Sequence, residues 1–278
     1  MNKLLALLIL SGIFSFSLLA CELPQKEKLV IGCSYKCDFF YKLRLSMVAR
    51  QMGYPLQIVD LTTMGSLDQS LAQVDGVLLP GGADIDPTYY LSHVTPELQK
   101  YTESNLKLVN YTQEGRVRDP FEYQLLSRYS NEDKFSKIPV LGICRGMQMM
   151  SVAQGIPLYL DIKTELGIKN RRFLFDRVTF TDDGQLKQVY GRSQVSGFKL
   201  HHQGIRVPYF KEHENDFPHA KITGFSHNSM IAEVIEYTHR PAIGVQYHPE
   251  KSLPNTANPI FRWLLKKSCE YKNSHKDN

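Results

Sequence analysis

Short apolar runs separated by polar, turn-rich stretches set the rhythm of the first half of this chain. Residues 29–32 (LVIG) predict a first strand, and apolar positions at helical spacing over 39–52 predict a helix that Gly53 ends. Residues 55–59 predict a second strand and 76–79 a third, stopped abruptly by Pro80-Gly81-Gly82. Residues 118–128 predict a helix with Asp119 as N-cap and Pro120 in its first turn. The apolar run 138–143 predicts a buried strand. Strand, helix and strand in alternation give an α/β fold of three layers around a central, mostly parallel sheet, in which ligands gather at the carboxyl ends of the strands.

Beyond Ala153 the pattern changes. Residues 173–180 and 185–190 flank Thr181-Asp182-Asp183-Gly184, which predicts a hairpin. Residues 231–236 and 242–245 predict closing strands, 259–266 an amphipathic helix, and the polar residues from Lys267 onward a frayed tail.

The N-terminus is a separate object: a short basic start, an apolar run over 4–19, then Leu18-Leu19-Ala20 before Cys21. That order predicts a secretory signal over 1–20 and resembles a bacterial lipobox, which implies lipid on Cys21 and an exported, membrane-anchored protein. The expected organisation is signal 1–20, tether 21–27, one domain 28–267 and polar tail 268–278. The 278 residues carry a formal charge of +5 without a Lys/Arg block, which argues against a nucleic-acid partner. Of five cysteines, Cys21 is assigned to lipid, leaving Cys33, Cys37 and Cys269 with at most one disulfide among them once Cys144 is set aside as reactive. Cys33 and Cys37 lack a second Cys/His pair at metal-site spacing.

Cys144 stands between glycines in GICRG, where the predicted strand passes into Met147-Gln148-Met149-Met150. A sharp strand-to-helix turn needs small neighbours and lifts its central side chain clear of the sheet. The helix N-terminus favours thiolate over thiol there. His248-Pro249-Glu250, after the apolar strand 242–245, supplies an imidazole that exchanges protons near neutrality and a carboxylate to hold it. The paired glycines after strand 76–79 can turn backbone N–H groups toward an oxyanion. His201 and His202 are neighbours whose side chains diverge on an extended chain, so one contacting substrate is favoured over both binding zinc.

PGGADIDPTYY, RDPFE, PVLGICRGMQ, LHHQGI and IGVQYHPE, in this order from Leu29 to about Leu265, resemble the class I glutamine amidotransferase-like family. Within it they are most similar to the gamma-glutamyl hydrolase and gamma-glutamyl-gamma-aminobutyrate hydrolase group of cysteine peptidases. The resemblance implies a flavodoxin-like architecture and hydrolysis of gamma-glutamyl amides. Cys144 would be nucleophile, His248 base and acid, Glu250 its orienting carboxylate, and the N–H groups of Gly82 and Arg145 the oxyanion hole. Gln148 and one of His201 and His202 fall where the family holds the glutamyl portion. No metal or organic cofactor and no obligatory synthase partner are implied. The segment VSGFKLHHQ departs from close relatives, which carry Asn-Ser shortly before the His pair. Two rival readings stay open: a glutaminase subunit feeding a synthase, and a lipoprotein that binds glutamyl compounds without turnover.

Overall fold

The structure, a computed structural model, describes residues 21–23, 27–168 and 174–275. The predicted signal, residues 24–26 of the tether, Phe173 and residues 276–278 of the tail lie outside them. The strands are β1 (Leu29–Cys33), β2 (Leu56–Asp60), β3 (Gly76–Leu79), β4 (Val140–Ile143), β5 (Leu158–Tyr159), β6 (Phe175–Phe180), β7 (Gln194–Phe198), β8 (Gly204–Ile205), β9 (Ala220–Ser226), β10 (Ile231–Tyr237) and β11 (Ala242–Val245). The helices are α1 (Phe39–Gln51), α2 (Leu67–Leu71), α3 (Thr88–Leu91), α4 (Pro96–Ser104), α5 (Gln113–Asn131), α6 (Arg145–Val152), α7 (Ile162–Leu166), α8 (Gln185–Tyr190), α9 (Val207–Glu212) and α10 (Pro254–Ser274).

Among the described residues one large sheet runs in the order β2-β1-β3-β4-β11-β10-β9-β6-β7, and β5 pairs with β8 apart from it. From β2 to β11 every pairing is parallel, and from β11 to β7 every pairing is antiparallel. The mostly buried parallel strands send alternate side chains into opposite layers. Val140 and Leu79 join a core with Met147, Leu125 and Leu126, whereas Leu141 and Leu78 join one with Leu45, Phe261 and Leu264. Helices therefore cover both faces, as the alternating pattern predicts.

Four local expectations are corrected. Residues 185–190 form α8 instead of the second arm of a hairpin, and β6 pairs with β7 and β9. The Glu236 carboxylate accepts from the Gln185 and Leu186 N–H groups and so satisfies the start of that helix. Second, α5 begins at Gln113 with Thr112 as its cap, so Asp119 and Pro120 lie inside it. Third, the C-terminal segment is helical to Ser274 because Ser268 and Cys269 are buried in its packed face.

The fourth concerns Cys21. Its sulfur is joined to Cys269, and the Cys21 carbonyl accepts from Tyr54 Oη at 2.6 Å. A sulfur in a disulfide is not available for lipid, so Cys21 is not a lipid site in this structure. The start of the tether is tied to the domain at the amino-terminal edge of the parallel strands. Cys33 and Cys37 form the one bridge within the set Cys33, Cys37 and Cys269, in line with the expectation, while Cys269 pairs outside that set, with Cys21. Among the described residues no helix is long and apolar enough to cross a membrane.

Candidate active site

The turn at Cys144 is built by its neighbours. Cys144 takes φ 53° and ψ −105°, a conformation that costs a non-glycine residue about 1–3 kcal/mol and recurs where a nucleophile is presented. Its N–H donates to Val245 O at 2.8 Å and its carbonyl accepts from Gln148 N, so strand and helix hydrogen bonding meet at this residue. A Cβ on Gly142 would lie 2.7 Å from the Gly146 carbonyl carbon, and one on Gly146 would strike the Leu79 carbonyl. Both glycines are therefore required by close backbone approach.

His248 leaves the carboxyl end of β11, the strand beside β4. Its N–H donates to Phe198 O at 2.8 Å, and Ser252 Oγ donates to its carbonyl at 2.8 Å. Arg44 of α1 holds the next turn through Ser252 O at 2.9 Å. His248 Nδ1 and Glu250 Oε1 are 2.6 Å apart, with both side chains buried. That contact fixes the ring, and Nε2 meets no partner at conventional hydrogen-bond geometry. Burial alone would lower the His248 pKa, but the charge of the nearby Cys144 sulfur, then the hydrogen bond and charge of Glu250, push it up to about 10. A Cβ on Gly81 would sit 2.9 Å from His248 Cε1 and 3.6 Å from Cys144 Cβ, so the imidazole, the thiol and the glycine loop converge on one spot.

In that loop the Gly81 N–H donates to Tyr41 Oη at 2.9 Å. Burial, and then the Glu250 charge, hold the Tyr41 pKa well above its ordinary value, so the phenol stays neutral. Cys144 is recessed, 6% exposed, at the border of the apolar cluster that includes Tyr41, Ile143 and Val245. It is the free cysteine among the described residues.

The remaining predicted residues separate. Gln148 is buried, and its Nε2 donates to Gln203 O and Gln246 Oε1 at 3.0 and 3.2 Å. His201 points inward with Nδ1 2.8 Å from Gln203 O, and burial lowers its pKa to about 4. His202 points outward, between Asp84 at 2.8 Å and Asp161 at 3.2 Å. Its pKa is raised, chiefly by the hydrogen bond that it donates to Asp84. The unusual Lys199 is buried between Asp176 and Glu233, at 2.9 and 2.8 Å. Among the described residues no group of three or more His, Cys, Asp or Glu could hold a metal ion.

Sequence reasoning missed Tyr41 and the charged face of α5. Arg118, Asp119 and Glu122 lie wholly buried behind the nucleophile, where Arg145 pairs with Asp119 and Glu122. The signal was present in RDPFE: Arg and Glu four apart, with an Asp beside the Arg, share one helix face.

The chain resembles known proteins along most of its length. It is 28% identical over 231 residues to protein NtpR of Enterococcus hirae, covering 80% of this chain and 84% of that protein. In fold it is similar to a glutamine amidotransferase from Thermotoga maritima, with TM-score 0.51, 18% identity, and 90% and 85% of the two chains covered. The glutaminase domain of Trypanosoma brucei CTPS with bound acivicin gives TM-score 0.59 and 13% identity, covering 87% and 94%. These two likenesses support the class I glutamine amidotransferase fold. The Peptidase C26 profile matches residues 25–250, and with the elbow cysteine and the His–Glu pair inside that span, the chain belongs to the Peptidase C26 family.

Proposed function

We propose that this protein is a cysteine-dependent hydrolase of gamma-glutamyl amide bonds. The observation that carries the reading is the convergence of Cys144, the Glu250-held His248 and the glycine loop at the carboxyl edge of the parallel strands. The Cys144 sulfur, as thiolate beside the His248 imidazolium, attacks the side-chain carbonyl carbon. A C–S bond forms, and the carbonyl oxygen takes the negative charge, facing the N–H groups of Gly82 and Arg145. As the C–N bond breaks, His248 gives its proton to the departing amine and a gamma-glutamyl thioester remains. Water, deprotonated by His248, then attacks that thioester; glutamate leaves and the thiolate and imidazolium are restored. The raised His248 pKa keeps the needed proton on the ring through neutral pH.

A panel of gamma-glutamyl amides and peptides, offered to the protein and to a Cys144→Ala variant, tests this. Release of glutamate by the wild type and its loss by at least about 10⁴-fold in the variant is expected, since the thioester cannot form. Covalent labelling of Cys144 by an electrophilic glutamine analogue without turnover of any amide would instead favour a binder. Ammonia released from glutamine only with a second protein present would favour a glutaminase subunit.

We also propose that the domain is exported. The basic, then apolar N-terminal segment supports this, as do disulfides at Cys21–Cys269 and Cys33–Cys37, a usage rare in reducing compartments. Fractionation of cells making the full chain checks it, and recovery in the cytosol with all five thiols free would overturn it.

A further inference from the structure

An oxyanion hole works only if its donors are held about 2.7–3.1 Å from the place where charge develops. Here the two donors come from different parts of the chain, Gly82 after β3 and Arg145 at the start of α6, and no covalent link fixes their separation. Burying charged side chains costs several kcal/mol per ion unless pairing is good, yet α5 carries three of them into the space behind both donors. Arg118, Asp119, Glu122 and Arg145 are each at most 1% exposed.

Their contacts follow a plan. The Arg118 guanidinium donates to Pro80 O and to Gly81 O, each at 2.9 Å, and so grips the two carbonyls just before Gly82. Its Nη1 lies where a Cβ on Gly82 would have to stand, so the loop is packed on the guanidinium as well as bonded to it. At the other end of the same loop the Asp86 N–H donates to Asp119 Oδ2 at 2.9 Å. The second guanidinium belongs to Arg145 itself and pairs with Asp119 and Glu122.

Glu122 joins the two. Its Oε1 accepts from Arg118 Nε and Nη2 at 3.1 and 2.9 Å, and its Oε2 accepts from Arg145 Nη1. Ser34 Oγ adds a bond to Oε1 at 2.6 Å. We propose that Glu122 is a positioning residue for the oxyanion hole: by bridging the Arg118 and Arg145 guanidiniums it fixes the Gly82 N–H relative to the Arg145 N–H. This rests on the hydrolase reading above.

The arginines also hold Glu122 ionised. Burial alone would raise its pKa, but Arg145 and Arg118 bring it below the usual carboxylate value. Glutamine in its place keeps the volume, and its neutral amide accepts through one oxygen instead of two. The bridge then fails at one arginine while the packing stays filled.

The test compares two reactions of the same sulfur in wild type and Glu122→Gln. Hydrolysis of gamma-glutamyl-p-nitroanilide passes through an oxyanion. Alkylation of Cys144 by iodoacetamide does not: an S–C bond forms at a saturated carbon as iodide leaves. E122Q should lower kcat by about 30- to 100-fold with KM within about threefold of wild type, while the alkylation rate constant stays within about threefold. A kcat within threefold of wild type would overturn the proposal, as would a parallel loss of alkylation, which would mark general damage at the sulfur. Should E122Q not fold, Ser34→Ala removes only one bond to Oε1. It should lower kcat about three- to tenfold with alkylation unchanged, and an unaltered kcat there overturns the proposal equally. If wild type alkylates but hydrolyses no gamma-glutamyl amide, the hydrolase reading is what fails, and the role of Glu122 falls with it.

Discussion

The two halves of the large sheet are built differently and contribute differently to the site. In the parallel half, β3, β4 and β11 are buried at every position, as expected for strands covered on both faces. In the antiparallel half, β6 and β7 alternate between exposed and buried positions. The parallel half presents Cys144, the glycine loop and His248 at its carboxyl edge, each on a short connection leaving a buried strand. The segment between β7 and β8, reached from the antiparallel half, brings His201 and His202 to the same edge. Reactive geometry is thus carried by elements with little freedom to shift. The residues beside it come from the segment that follows β7, an edge strand whose positions alternate between exposed and buried, although β10 of the same half is buried throughout.

One pair of glycine-to-alanine substitutions should separate the elbow from the turn after α8 most strongly. Gly146→Ala forces a methyl group onto the backbone of Leu79, with Leu79 Cβ only 2.7 Å away. Backbone cannot swing aside as a side chain can, so a loss of about 3 kcal/mol or more is expected, together with loss of turnover because the elbow must open. Gly191→Ala, after α8, meets nothing within 4 Å and is opposed only by its φ of 63°. That costs about 1–2 kcal/mol and should leave activity unchanged. Urea midpoints with activity on the same samples check both. Equal losses at the two sites would mean that the elbow is no more tightly constrained than the turn after α8.

The same contrast governs what the sequence discloses. Buried parallel strands read as short apolar runs, so β1, β3, β4 and β11 are legible to within a residue or two, and the elbow is legible because two close backbone approaches demand Gly142 and Gly146. The His248–Glu250 pairing is legible because two residues of separation let the side chains meet. In the antiparallel half, TDDG followed by a mixed run is compatible with a hairpin or with a turn into a helix. Glu236, some fifty residues later, decides it by accepting from the N–H groups that open α8. The same is true of Cys21, whose partner Cys269 is 248 residues away. It is true also of Glu122, whose charge becomes tolerable only when Arg145 arrives from another strand's end. What local chemistry cannot disclose is the long-range partner that overrides a local preference.

His201 and His202 give the comparison its finest test, because adjacent identical residues face opposite environments. His201, buried, has its pKa lowered to about 4, so the unfolded chain binds its proton more readily than the fold does. Its contribution is whole above about pH 6.5 and declines as pH falls toward 4. His202 has the reverse sign: the hydrogen bond and charge of Asp84, then Asp161, raise its pKa, so its contribution is whole below about pH 6.5 and declines as pH rises through the raised value. Because the ring is partly exposed and bridges two side chains near the surface, the ionic part of this clasp amounts to about 1 kcal/mol or less. Stability by urea titration from pH 6 to pH 9 should therefore show wild type ahead of His202→Asn at the acid end and the two converging at the alkaline end. Titrations that other groups contribute appear in both proteins and cancel in the difference. A gap that stays constant across this range would mean that His202 contributes through the packing of its ring and not through its charge, because a neutral imidazole has one N–H and can donate to Asp84 or to Asp161 but not to both.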